Sequence, residues 1–207
     1  MPTNPINPTT VESLAEYPDR VPILFGVFTA VAVFGWTVSA FLSGIHFWAI
    51  PQIPDGAVVS GSLEVITSQW AYVGPVPLAT LGAVYYLTTI VLAVWWLDTR
   101  HPLIIKLLTP ITATGVVASA YFVYLQLVPI GAICPFCMMS AGASVVLFGL
   151  ELAIIRDSEL PPLSAMATEI DVLVRRTTLA WPLLVAAVGA VTVMAFFGAT
   201  LAPVPGT

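Results

Sequence analysis

A chain of 207 residues that is 58% hydrophobic and 8% charged cannot clothe a water-soluble core of its size, since soluble domains carry about 25% ionic side chains. Its net charge of −5, with Lys106 as the sole lysine, excludes a surface built to neutralise nucleic-acid phosphates. Lipid must therefore be the solvent for most of the chain.

In chain order, residues 1–20 carry two Asn-Pro pairs and the acids Glu12, Glu16 and Asp19, and are expected to form a flexible cytoplasmic segment. The first apolar stretch, residues 21–50, is too long for a signal-peptide core and lacks a basic region before it, so it is read as a retained span. Residues 51–72 form an outside loop. A second span runs from about residue 73 to 97 and is closed by Asp98 and Arg100, and a third covers 107–128. Pro129 lacks an N–H and Gly131 permits a turn, so a tight hairpin separates it from a fourth span, 134–155. A cytoplasmic connector follows over 156–176, containing Pro161-Pro162, then a fifth span from 177 to 201 and an outside tail to 207. The fold class expected is an all-α integral membrane protein, because helices satisfy their own backbone groups in lipid and about 20 residues suffice to cross it.

Placing the N-terminus inside puts Arg20, Arg100, Lys106, Arg156, Arg175 and Arg176 on one side and leaves the opposite loops without Lys or Arg. Cys134-Pro135-Phe136-Cys137 then opens the fourth span at the outer face. The spacing permits a disulfide, and unpaired N–H groups at a helix start favour a thiolate at Cys134, the expected nucleophile. An oxidising compartment suits redox work by such a pair. The alternative is that both cysteines simply brace the helix start. A four-cysteine zinc site is excluded, because the chain has only 2 cysteines.

Three segments carry a resemblance: Gly74-Pro75-Val76-Pro77 running into the second span, Tyr121-Phe122-Val123-Tyr124-Leu125-Gln126, and Ala132-Ile133-Cys134-Pro135-Phe136-Cys137-Met138-Met139-Ser140. Over roughly residues 22–155 the chain resembles the vitamin K epoxide reductase family, in a prokaryotic-type form. The resemblance implies a four-helix bundle over 21–155 around a quinone pocket, with quinone of the ubiquinone or menaquinone type as electron acceptor. It implies that Cys134 exchanges with an incoming thiol and that Cys137, one turn deeper, faces the quinone. The implied partners are a DsbA-like thioredoxin-fold protein or exported thiol proteins, and the implied location is a prokaryotic plasma membrane. The family usually has a second cysteine pair in the outside loop. Its later position corresponds here to Ser62, so a relay through a loop disulfide cannot operate within this chain.

Other side chains are candidates for the same pocket. Ser68 is read as a cap for the second span or a quinone ligand; Trp70, Tyr72, Tyr85 and Tyr86 cluster near the outer half of that span. Tyr121 and Tyr124 share a face of the third span with Gln126 close by. His46 is placed to relay a proton, Pro77 and Gly82 to shape and pack the second span, and Glu151 to reach the interface or pair with Arg156. The leading reading is a quinone-linked thiol oxidoreductase. Its rival is a noncatalytic subunit of a larger membrane complex; a transporter is disfavoured, because the spans carry almost no ionisable groups.

Overall fold

The computed structural model describes residues 17–54, 56–158 and 160. The expected N-terminal segment, the connector and the fifth span lie outside the described residues, apart from the few at their edges. Among the described residues four helices are long and apolar enough to cross a membrane. The shortest, at 22 residues, extends about 33 Å at 1.5 Å per residue, enough for a hydrocarbon core of about 30 Å.

Helix α1 (Arg20–Trp48) leads into a 3₁₀ turn, Ile50–Gln52, where Pro51 ends the regular ladder. A short helix α2 (Ser62–Thr67) sits in the outer loop, followed by a 3₁₀ turn at Gln69–Ala71. Strands β1 (Tyr72–Val73) and β2 (Val76–Pro77) then pair antiparallel, Tyr72 opposite Pro77 and Val73 opposite Val76, around Gly74-Pro75. The second span thus begins later than its hydropathy suggests: residues 73–77 belong to the hairpin, and α3 (Leu78–Thr99) starts after Pro77. The third span begins earlier. In α4 (Pro102–Leu125), Pro102 occupies the first helical position and His101 Nδ1 accepts from the Leu103 N–H at 3.2 Å, so Lys106 is helical. A π-helical turn, Gln126–Ile130, absorbs Pro129, and Gly131 at φ 74° reverses the chain into α5 (Pro135–Arg156).

The helices form a bundle in which α1 packs on α3 and α5, and α4 packs on α5 and α3. Its outer faces are apolar, with Ile23, Phe34, Phe41, Val117 and Val145 exposed, as lipid requires. All four described basic residues, Arg20, Arg100, Lys106 and Arg156, lie at or near one end. That end is knitted by Trp96, which stacks on Phe25 at 3.8 Å between ring centroids and lies under the Arg100 guanidinium at 4.8 Å. Stacking of this kind adds about 0.5–1.5 kcal/mol beyond area burial. The cysteines lie at the other end.

Candidate functional site

Pro135 at the first position of α5 forces its predecessor out of helical conformation, so Cys134 (φ −99°, ψ 110°) becomes the N-cap. Its sulfur accepts from the Cys137 N–H at 3.3 Å and its carbonyl from the Met138 N–H at 3.0 Å. Its own N–H donates to Gln126 Oε1 at 2.8 Å. Gln126, 3% exposed, thereby satisfies a buried donor whose loss would cost about 1–3 kcal/mol. Both cysteines are free thiols.

Cys134 is fully buried, in an apolar cluster with Val65 and Ile66 of α2 and with Val38 and Leu42 of α1. The neighbouring Cys137 thiol, and then the Cys137 N–H, the Ser62 hydroxyl and the Phe136 N–H, stabilise its anion; together they hold Cys134 below the usual thiol range although burial opposes them. Ser62, at the start of α2, therefore stands beside the cysteine pair. Sequence alone places it only by its offset along the loop.

Cys137, in contact with Cys134, also borders a cavity of about 380 Å³ between α1, α3, α4 and α5, roofed by the loop. The wall is mostly aliphatic, with polar groups from His46, Gln126, Ser140 and Ser144. Of the candidates named from sequence, Ser68, Trp70, Tyr85, Tyr86 and His46 all line it. Their roles differ. Ser68 does not cap the second span; its hydroxyl donates to the Val65 carbonyl at 2.7 Å and closes α2. Tyr86, 1% exposed, spends its hydroxyl on the Ser140 carbonyl and on Ser144 Oγ at 2.9 Å, tying α3 to α5. Trp70 sits half exposed at the mouth.

Two buried polar atoms of wall residues have no hydrogen-bond partner among the described residues. Tyr85 Oη approaches Ser144 without closing a bond, and His46 Nε2 approaches the Ile66 carbonyl in the same way, while His46 Nδ1 donates to the Leu42 carbonyl at 2.9 Å. Tyr72 edges the His46 ring at 5.4 Å. An apolar slot with one or two free polar atoms suits a flat ring bearing carbonyl oxygens.

Tyr121 and Tyr124 do not join this site. They are 51% and 55% exposed on the outer face of α4, while Phe122, Val123, Leu125 and Gln126 line the cavity. The helical phase decides this: the inward stripe is set by Ala118, Ser119 and Phe122, the last one turn beyond the first two, and is out of step with the tyrosines. Glu151 is also corrected. It neither reaches the interface nor pairs with Arg156, but is 1% exposed and accepts from the Thr112 hydroxyl. Sequence reasoning passed over Ser140 and Ser144, although four-residue spacing on the cysteine helix was a readable sign of one polar face. Pro77 and Gly82 do act structurally, the second lying against Ser39. Among the described residues no cluster of three His, Cys, Asp or Glu could hold a metal ion.

Comparison with known families gives a match to the vitamin K epoxide reductase family over residues 27–152, which takes in all four spans. No curated protein matches the chain.

Proposed function

Because the chain belongs to the vitamin K epoxide reductase family, whose members are membrane thiol oxidoreductases, we propose that it oxidises dithiols outside the membrane and delivers their electrons to quinone. The observation that carries this reading is the division of one pair between two environments: Cys137 lies on the cavity wall, and Cys134, one turn away, lies under the outer loop.

The chemistry follows from that division. A partner thiolate attacks Cys134 of the Cys134–Cys137 disulfide, forming a mixed disulfide and releasing Cys137 as thiolate. The partner's second thiol attacks its own sulfur in that bond, and Cys134 departs. A thiol held toward its anion leaves well, which is the use of the contacts around Cys134. Quinone of the ubiquinone or menaquinone type, when bound, supplies a two-electron acceptor whose oxygens take up two protons. Cys137 is the residue placed to face it, and Tyr85 and His46 hold the free polar atoms placed to meet its oxygens. Trp70 and Ser68 belong to the loop that keeps water from the cavity.

The basic end would face the cytoplasm and the cysteines the exterior of a prokaryotic plasma membrane. A thioredoxin-fold protein or an exported thiol protein is the partner class that fits an outer-face dithiol. Replacing either cysteine separates this reading from that of a noncatalytic subunit, which the burial of Cys134 and the serine at position 62 favour. In reconstituted vesicles, C134S and C137S are expected to reduce quinone-dependent dithiol oxidation to the uncatalysed background while still inserting and folding. Wild-type rates in C134S would overturn the enzymatic reading.

A further inference from the structure

Glu151 plays no part in that scheme, and its setting calls for a role. It lies on α5 sixteen residues beyond Pro135, about 24 Å along the helix from the cysteine end. Its carboxyl group points into the bundle, where the Thr112 hydroxyl donates to Oε2, Thr109 adds a second hydroxyl, and Oε1 has no partner. No basic side chain among the described residues acts on it. A lone carboxylate is expensive in a membrane interior, and the relay inferred below takes Glu151 as the protonated acid.

Tyr85 stands between this acid and the cavity. Its ring lines the cavity, while its hydroxyl enters a slot at Gly115, where a Cβ would come within 2.3 Å of Oη. Only glycine leaves that room. Gly115 and Thr112 are one turn apart on α4, a rise of about 4.5 Å. The unpartnered Tyr85 Oη and the unpartnered Glu151 Oε1 thus flank a single helical turn, and the two groups interact electrostatically. The relay inferred below needs water between them, with these two polar atoms as its partners. On the other side, Thr109 lies nearer the start of α4, toward the end that carries Arg100 and Arg156.

We propose that Glu151 and Tyr85 form a proton relay from the basic end of the bundle to the cavity. The proposal rests on the quinone-linked reading. Oxidising the Cys134/Cys137 dithiol breaks two S–H bonds, forms one S–S bond and releases two electrons and two protons at the cysteine end. Quinone reduced to quinol gains two electrons and two protons. Supplied through Glu151, those protons come from the opposite side of the membrane, and each disulfide made moves charge across it. Tyr85 is the donor at the cavity; Glu151 acts through it by restoring its proton.

Two measurements test this. In quinone-free protein, infrared difference spectra between H₂O and ²H₂O are expected to show the C=O stretch of a protonated carboxylic acid that is lost in E151Q, retained in E151D, shifted in Y85F and unmoved in Y86F. A band indifferent to Y85F would overturn the relay. In oriented vesicles with a trapped pH dye, dithiothreitol as electron donor and a short-chain quinone as acceptor, protons are expected to be consumed at the basic end. E151Q should slow turnover at least tenfold or move proton uptake to the cysteine side, with E151D restoring the wild-type pattern. Wild-type protein that oxidises no dithiol overturns the quinone-linked reading and the relay with it. Turnover in E151Q with unchanged rate and sidedness overturns the relay alone.

Discussion

At Cys134 one sulfur is both the helix cap and the proposed point of thiol exchange. The same N–H groups that would otherwise be orphaned at the start of α5 stabilise its anion, with the Cys137 thiol as the largest contributor. The sign follows directly: a group whose anion is favoured in the folded state keeps its charge to lower pH than in the unfolded chain. The stabilisation is present above the unfolded thiol's range and is lost as pH falls through the depressed folded value. Ultraviolet thiolate absorbance of the reduced protein, with C134S subtracted, is therefore expected to titrate at lower pH than an ordinary cysteine. A midpoint at or above the ordinary value would show that burial outweighs these donors. The pair itself was readable from its spacing and from Pro135. The contribution of Gln126 was not, because nothing local connects a side chain before the turn to the N–H of a residue eight positions on.

At the scale of elements, α2 decides access. Val65 and Ile66 cover Cys134, and Ser62 opens the helix beside it, so the thiol exchange proposed above requires α2 to lift or slide. Replacing Ser62 by Cys is expected to give a disulfide to Cys134 under mild oxidation, read by mass spectrometry of the peptides spanning both positions. That bond would hold α2 down. Failure to cross-link, with both thiols reactive toward maleimide, would mean that α2 does not rest on the pair. The loop helix was not foreseen: SLEVIT is short, and its two buried residues acquire meaning only from the helix ends beneath them. The same limit explains Tyr121 and Tyr124, which share a helical face correctly read from their spacing. Which face turns inward is set by packing against α3 and α5, and α4 offers apolar residues on every side.

For the whole molecule, the separation of charge from cysteine gives a prediction about direction. In a background with both native cysteines replaced, Val58→Cys, at a site 99% exposed in the outer loop, should react with an impermeant maleimide on intact cells, whereas Asp98→Cys should react only after the membrane is opened. The reverse pattern would invert the protein and place its thiol chemistry in the cytoplasm. Span number and approximate position among the described residues followed from the sequence, because an apolar run of sufficient length has one stable way to cross lipid and charged side chains mark its ends. The helix start at the cysteine pair followed too, because Pro135 acts through its neighbouring residues. The cavity, the roof over Cys134, the diversion of Tyr86 to a helix tie and the burial of Glu151 beside Thr112 were decided by the tertiary structure alone. Each depends on the rotation of one helix against another, which nearly uniform apolar spans leave unmarked until their small and polar residues meet across the bundle.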